Sequence, residues 1–280
     1  MAALGRRTRV PVIYDAHEHY PDAMDQKAWI PAPLRPLAAY AADRLERRHV
    51  PAMAAVVTAD AALSRRYSEM HDRVVELDNY PPLSLFAKTV VPPAGQPTLV
   101  YVGGVSTVRG FFDMAEALML VRESVPDARL LVYGRPTEEV LARLDEFLAT
   151  MPTGAIELRG PVAYGQMHEV LTEAHVGLSL LQNHPKYQKN VSMKVFDYMA
   201  AGLPFVASDF PPLAKAVGDA GGLLVPPSDP TSAAVAIVRL LTDADAARDA
   251  ARSGRRLVEE HLNWELMEPR LFELYDELLG

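Results

Sequence analysis

The sequence predicts an α/β protein built on parallel sheets. Short apolar runs rich in Val, Leu and Tyr alternate with longer segments of helical spacing over most of the 280 residues. Strands and helices that alternate at this pitch form right-handed βαβ units. Several runs are continuously apolar, which is typical of parallel strands buried on both faces. We therefore expect a doubly wound domain in the C-terminal two thirds of the chain.

The elements of this C-terminal part follow from the same alternation. Strands are predicted at residues 98–102, 128–133, 155–158, 176–181, 203–207 and 222–225. Helices are predicted at residues 111–124, 138–150, 166–174, 192–201 and 231–241, with an almost wholly helical tail after them. Gly202 stands where a glycine C-cap is expected, and Asp229-Pro230 suits the start of the last of these helices.

A smaller piece precedes this domain. It has predicted strands near residues 10–15, 54–58 and 73–78 and helices near residues 37–49 and 60–70. The segment 90–97 contains Pro and Gly without periodicity, which indicates a linker. We predict two domains, residues 1–92 and residues 93–280, the second including the helical tail. Three strands and two helices make a poor free-standing domain, so the first is expected to be truncated.

Composition narrows the function classes. The net charge is −8, and nucleic-acid binding usually needs a basic surface. The chain has no cysteine, which excludes disulfides and thiolate chemistry. No apolar run approaches the roughly 20 residues of a membrane-spanning helix, and the N-terminus does not resemble a signal peptide. We expect a cytoplasmic bacterial protein, with peripheral attachment to a membrane left open.

The segment QKNVSMKVFDYMAAGLPFVASD, residues 188–209, carries the strongest signal for a binding site. Lys194 and Asp197 are three apart and share one helix face. If Asn190 or Ser192 caps the helix, Lys194 lies in the first turn, where a cation opposes the helix dipole. A bound phosphate would reverse that effect. The alternative interpretation is a surface lysine paired with Asp197.

A second candidate is YVGGVSTVRG, residues 101–110, where a strand leads into a loop and a helix. Gly103 and Gly104 would let the backbone approach a ligand, and Arg109 could reach a phosphate. The spacing matches neither the dinucleotide fingerprint nor the phosphate loop, and a tight turn would explain the glycines equally well. Gly134, Gly160 and the segment 184–189 also follow predicted strands, where ligands of open α/β sheets bind.

The third candidate is YDAHEHYPD, residues 14–22, which crowds His17 and Glu18 with other polar groups after a strand. A metal site is one interpretation, but the helical zinc spacing is absent, because the two histidines are only two residues apart. Acid–base chemistry or polar binding is the alternative. The sequence lacks a G-x-S-x-G segment, which disfavours hydrolases of that type.

Taken in order, these segments, together with DNYPP (78–82), RGPV (159–162) and GGLLVPPSDP (221–230), resemble the large family-four group of GT-B glycosyltransferases. The resemblance covers nearly the whole chain and is most specific in residues 194–209. It implies two Rossmann-like domains facing a cleft, a nucleotide diphosphate-sugar bound by the C-terminal domain, and acceptor binding by the N-terminal domain. It further implies hexosyl transfer with retention at the anomeric carbon, without a metal ion or other cofactor.

The resemblance also implies roles for individual residues. Asp197 takes the place of the acid that binds the ribose, and Lys194 lies near the diphosphate. Arg109 stands at the position of a phosphate-binding lysine, and the backbone beside Gly160 and Val162 reads the nucleobase. His17, with Glu18 next to it, matches the catalytic side of the N-terminal domain. The donor-binding residues predicted in this way are Gly103, Gly104, Arg109, Gly134, Gly160, Val162, Lys189, Asn190, Ser192, Lys194 and Asp197.

The chain departs from the family pattern in three ways. Gly104 replaces the arginine of a phosphate-binding pair, and Lys189 replaces the acid that usually contacts the sugar. The family normally has about one hundred more residues before the first strand, roughly half a domain. Two hypotheses therefore stand: a glycosyltransferase with an unknown acceptor, or a non-enzymatic nucleotide-binding subunit that needs a second chain. Truncation of a longer protein is a further explanation.

Overall fold

The structure is a computed structural model that describes residues 10–24, 27, 29–86, 94–188 and 191–280. These residues divide into two compact units. The first comprises the chain up to Asn79 together with Trp264–Gly280, and the second is Tyr80–Asn263. Each unit is built around a parallel sheet, which confirms the predicted α/β fold class. None of the described helices is both long and apolar enough to cross a membrane.

The first unit contains a parallel sheet whose described strands run in the order β1-β2-β3. The strands are β1 (Ile13–Ala16), β2 (Ala55–Thr58) and β3 (Val74–Glu76). The helices are α1 (Tyr20–Ala23), α2 (Arg35–His49), α3 (Ala61–Ser68) and, at the end of the chain, α11 (Glu268–Leu279). The short helix α1 was not predicted, whereas the three strands lie within the predicted ranges or extend one residue beyond them.

A buried carboxylate links the sheet of the first unit to its helices. Glu46 of α2 is 8% exposed and accepts hydrogen bonds from the hydroxyls of Tyr14 at 3.0 Å and Tyr67 at 2.7 Å. The Arg66 guanidinium also bonds Glu46. A buried charge is tolerated when it is paired and hydrogen-bonded in this way. Burial beside Glu46 raises the pKa of Tyr14 to about 12.

The second unit is doubly wound. Its described strands form one parallel sheet in the order β6-β5-β4-β7-β8-β9. They are β4 (Thr98–Val102), β5 (Arg129–Tyr133), β6 (Ile156–Leu158), β7 (Val176–Ser179), β8 (Phe205–Ser208) and β9 (Gly222–Val225). The strand order reverses between β4 and β7. Ligands of open α/β sheets bind at the carboxyl ends of the strands at such a point.

Helices cover both faces of this sheet and enclose two apolar cores. They are α4 (Phe111–Ser124), α5 (Glu138–Ala149), α6 (Met167–Leu171), α7 (Met193–Ala200), α8 (Pro211–Val217), α9 (Pro230–Thr242) and α10 (Ala244–His261). The predicted N-cap is confirmed, because Asp229 accepts a hydrogen bond from the Ser232 amide. The C-cap of α7 is Ala201, and the predicted Gly202 is the next residue, with a φ of 62° that favours glycine. Helix α8 was not predicted.

Two features of the predicted domains can be compared with the two units: the boundary between the domains and the assignment of the helical tail. The predicted boundary after residue 92 falls in 87–93, outside the described residues, and stays a prediction. The helical tail was assigned to the second domain, whereas α11 belongs to the first unit. There Glu277 pairs with Arg73 at 3.4 Å, and Arg270 donates to the Glu76 carbonyl at 3.4 Å. Helical periodicity identifies an apolar face but not the sheet against which it packs.

Candidate functional site

The candidate site lies in the second unit, where β4 and β7 separate. The two strands pair through Leu99–Val176 and Val100–Gly177, before either strand reaches its carboxyl end. Beyond that point the two strands are bridged by the Tyr198 hydroxyl, which accepts a hydrogen bond from the Val102 amide at 3.4 Å and donates one to the Leu178 carbonyl at 3.0 Å. A tyrosine side chain therefore replaces backbone pairing there, and the carboxyl ends of the strands border a crevice.

The loop after β4 brings four of the predicted donor-binding residues together. Gly103 has a φ of 141°, which side-chain-bearing residues rarely adopt. A Cβ placed on Gly103 would lie 3.5 Å from each of Arg109 Nη1, Lys194 Cε and the Tyr101 hydroxyl. The Arg109 guanidinium also lies beside Gly104, 3.6 Å from the position of a Cβ there. The side chains of Arg109 and Lys194 therefore pack directly against the backbone of the predicted glycines.

Gly134, at the end of β5, supports this loop from below. A Cβ on Gly134 would lie 1.8 Å from the Gly103 carbonyl oxygen, so no larger residue fits without moving the backbone. The Gly103 amide in turn donates to the Tyr133 carbonyl at 2.8 Å. Gly134 therefore shapes the site through the backbone of its neighbour.

Lys194 lies in the first turn of α7, as predicted, and is partly buried. Its Nζ donates to the Ser192 hydroxyl at 3.3 Å and lies 5.3 Å from the centre of the Tyr101 ring. Desolvation, and then the nearby positive charge of Arg109, lower the Lys194 pKa to about 8. No ion pair joins the described side chains of Lys194 and Asp197, so the interpretation as a paired surface lysine is wrong. An anion bound at this point would relieve the repulsion between the two cations.

Ser192 occupies the N-cap position of α7 but does not cap the helix with its side chain. Its hydroxyl instead bonds that of Ser179, at the end of β7, at 2.8 Å. The N-cap therefore offers no side-chain acceptor to the amides of the first turn, and such amides can bind an anion. Lys189 and Asn190, also predicted donor-binding residues, lie outside the described residues.

Asp197 has a partner that was not predicted from the sequence. The Tyr164 hydroxyl donates to Asp197 Oδ1 at 2.8 Å. Desolvation raises the Asp197 pKa to about 6, although Tyr164 and the charge of Lys194 oppose the shift. Tyr164 is 33 positions away in sequence, so helical spacing within α7 could not reveal it. Its position after β6, at the ligand-binding edge of a parallel sheet, is the signal that was available.

Tyr164 also connects Asp197 to the loop predicted to read the nucleobase. Gly160 has a φ of 70° and no neighbouring atoms that a Cβ would meet, so its surroundings are open. Val162 packs partly against the core beneath α7. In this loop Val162 is held by the core, whereas the backbone at Gly160 has open space beside it. Both residues precede Tyr164.

The predicted catalytic residues lie in the first unit. His17 Nε2 is 3.0 Å from Asp15 Oδ2, and these two side chains are 57% and 58% exposed. Glu18 is also exposed. Among the described residues, no three His, Asp or Glu side chains are grouped closely enough to hold a metal ion. The catalytic roles of His17 and Glu18 stay predictions.

Residues 96–243, more than half of the chain, match the sequence model of the family described as Glycosyl transferases group 1. The glycogen synthase of Mycobacterium tuberculosis is 24% identical over 185 residues, which are 66% of this chain and 43% of that protein. This chain thus spans less than half the length of these curated relatives.

Solved structures share the fold. Sucrose-phosphate synthase from Thermosynechococcus elongatus is 21% identical with a TM-score of 0.73, covering 99% of this chain and 71% of that chain. The Anabaena protein HepE, solved with UDP-glucose, is 13% identical with a TM-score of 0.75, covering 99% of this chain and 75% of that chain. These similarities confirm the predicted GT-B fold.

Proposed function

Because the chain belongs to the Glycosyl transferases group 1 family, we propose that it transfers a sugar from a nucleotide diphosphate-sugar to an acceptor, with retention at the anomeric carbon. The observation that carries the proposal is the convergence of Lys194 and Arg109 above Gly103 and Gly104. Neither cation has a carboxylate within ion-pair distance among the described residues. Lys194 lies in the first turn of α7 and Arg109 directly before the N-cap of α4, and neither of these helices has a side-chain cap.

In this proposal the two cations and the first amides of α7 bind the diphosphate. Negative charge develops on the diphosphate as the bond to the sugar breaks, so positive groups placed there stabilise the transition state. The Asp197 carboxylate accepts hydrogen bonds from the ribose hydroxyls, and the backbone near Gly160 and Val162 binds the nucleobase. The residues hold the donor in position and require no metal ion, so a chelator should leave turnover unchanged.

The acceptor side is proposed to involve His17. Asp15, 3.0 Å away, orients the imidazole. His17→Ala should then lower the rate of transfer and leave nucleotide affinity unchanged. Turnover that survives the substitution would leave His17 with a structural role only. Retention is tested by the anomeric proton coupling of the product formed from an α-linked donor.

Binding of the donor is tested by calorimetry and thermal shift with UDP, GDP, dTDP and their sugars, since a ligand stabilises the folded state that binds it. One nucleotide is expected to stabilise the wild-type protein, and Lys194→Met should weaken its binding by at least tenfold, about 1.4 kcal/mol. Lys215→Met, which removes an exposed lysine of α8, is the matched control. Equal affinity of all three proteins would refute the assignment of Lys194 to the diphosphate.

A further inference from the structure

A second cavity lies in the same unit, at the opposite edge of the sheet. Its volume is about 620 Å³, within the range of roughly 300–1,000 Å³ typical of small-molecule sites. Its walls include His175, directly before β7, and Pro204, directly before β8, so it lies at the amino ends of these strands. The proposed donor site lies at the carboxyl ends, roughly 13 Å away by the rise of a four-residue strand.

The inner wall of this cavity is apolar. Leu171 of α6, Leu203 before β8, and Leu240 and Leu241 of α9 line it, together with several alanines of α10. Leu171 and Leu203 are themselves almost fully buried in the core. A hydrocarbon chain placed there would bury apolar surface at roughly 0.8 kcal/mol per CH₂ group.

The rim of the cavity is cationic, although the whole chain carries a net charge of −8. Four arginines of α10 line it, against a single carboxylate, Glu259. Arg255 bonds Glu259 at 2.7 Å and the Ala200 carbonyl, and Arg248 pairs with Asp245. The remaining two, Arg252 and Arg256, are exposed.

Arg252 and Arg256 form no hydrogen bond or ion pair with any part of the chain that the structure describes. They are four residues apart on one helix face, where like charges repel each other. Arginine binds phosphate and carboxylate groups in bidentate geometry. His168, which also lines the cavity, has a buried Nδ1 without a hydrogen-bond partner among the described residues.

We propose that this cavity binds an amphiphile with a single hydrocarbon chain and a phosphate head group. The chain lies against the leucines of α6 and α9, and the phosphate bridges Arg252 and Arg256 at the rim. This site is separate from the donor site and does not depend on the proposed transferase activity.

The test uses calorimetry with the full chain and four soluble probes. The two amphiphiles among them are kept below their critical micelle concentrations. Octyl phosphate is expected to bind, whereas inorganic phosphate and octyl glucoside should each bind at least about tenfold more weakly, because each lacks one of the two features. Arg252→Gln/Arg256→Gln should weaken octyl phosphate by at least about tenfold, and Arg239→Gln, an exposed arginine of α9 outside the cavity, should not. The fourth probe, UDP at saturation, should leave the affinity for octyl phosphate unchanged.

Four results would overturn the proposal. Octyl glucoside binding as tightly as octyl phosphate would indicate apolar adsorption alone, and equal binding of inorganic phosphate would indicate an unspecific anion site. Unchanged affinity for octyl phosphate in the double variant would show that Arg252 and Arg256 do not bind the phosphate. Ala247→Trp, which fills the cavity from α10 without removing charge, should abolish binding, and retained binding in this variant would also contradict the proposed position of the chain.

Discussion

Raising the pH from 7 to 8.5 is expected to weaken binding of the nucleotide diphosphate-sugar selected by the panel above by about fourfold, because Lys194 loses its proton over that range. With a pKa of about 8 in the free protein, the protonated fraction falls from roughly nine tenths at pH 7 to roughly one quarter at pH 8.5. A bound diphosphate restores the pKa towards its ordinary value, so the complex keeps the proton. Affinity is therefore highest below pH 8 and declines above it.

Calorimetry in two buffers of different ionisation enthalpy measures both the dissociation constant and the proton uptake. At pH 8.5 the wild-type protein should take up roughly three quarters of a proton for each nucleotide sugar bound. The diphosphate of a nucleotide sugar is esterified at both ends and does not titrate between pH 7 and 8.5, so it contributes no proton of its own. Lys194→Arg keeps the positive charge throughout and should bind with little dependence on pH.

A dissociation constant that stays the same from pH 7 to 8.5 in the wild-type protein would refute this reasoning. Equal pH dependence in the wild-type and Lys194→Arg proteins would refute it as well, because the titrating group would then lie elsewhere. Weak binding by Lys194→Arg at every pH would not affect the comparison of slopes, since each protein is measured against itself.

Three further predictions concern other contacts. Tyr164→Phe removes a hydrogen bond that stabilises the ionised Asp197, whose pKa is about 6. The pH below which nucleotide binding is lost should therefore rise in this variant. If binding titrations from pH 5 to 7 show no such rise, Tyr164 does not act on the binding site through Asp197. Glu46→Gln should destabilise the first unit by about 3 kcal/mol in urea unfolding, since it breaks a buried ion pair, whereas Arg47→Gln, whose partner Asp43 is reached at the surface, should lose under 1 kcal/mol. Gly134→Ala should weaken nucleotide binding and lower stability by about 1–3 kcal/mol through its clash with Gly103, and Gly165→Ala, which meets no atom, should do neither; similar behaviour of these two variants would contradict the close approach.

The sequence predicted the strands well because parallel strands buried on both faces are continuous apolar runs. The boundaries of β4 and β9 are those predicted, and the predicted Gly202 follows the C-cap of α7. Periodicity along one element also placed Lys194 in a first turn. Contacts between elements were not accessible in this way: neither the hydrogen bond of Tyr164 to Asp197 nor the arginine-rimmed cavity leaves a local pattern. The tail helix is a similar case, because its apolar stripe would fit either sheet.

The Tyr198 hydroxyl between β4 and β7 has a consequence for the rate of ligand binding. A nucleotide binds outside the carboxyl ends of β4 and β7, and a crevice that had to form first at that point would slow association. The Tyr198 ring is fully buried, and a Cβ on Gly177 would come within 2.5 Å of it. Close packing in the core therefore holds the Tyr198 hydroxyl between the two strands. The conformational entropy lost in shaping the crevice is part of folding rather than of binding. Association should then be limited by diffusion and orientation, with differences in affinity between nucleotides expressed in how slowly each one leaves.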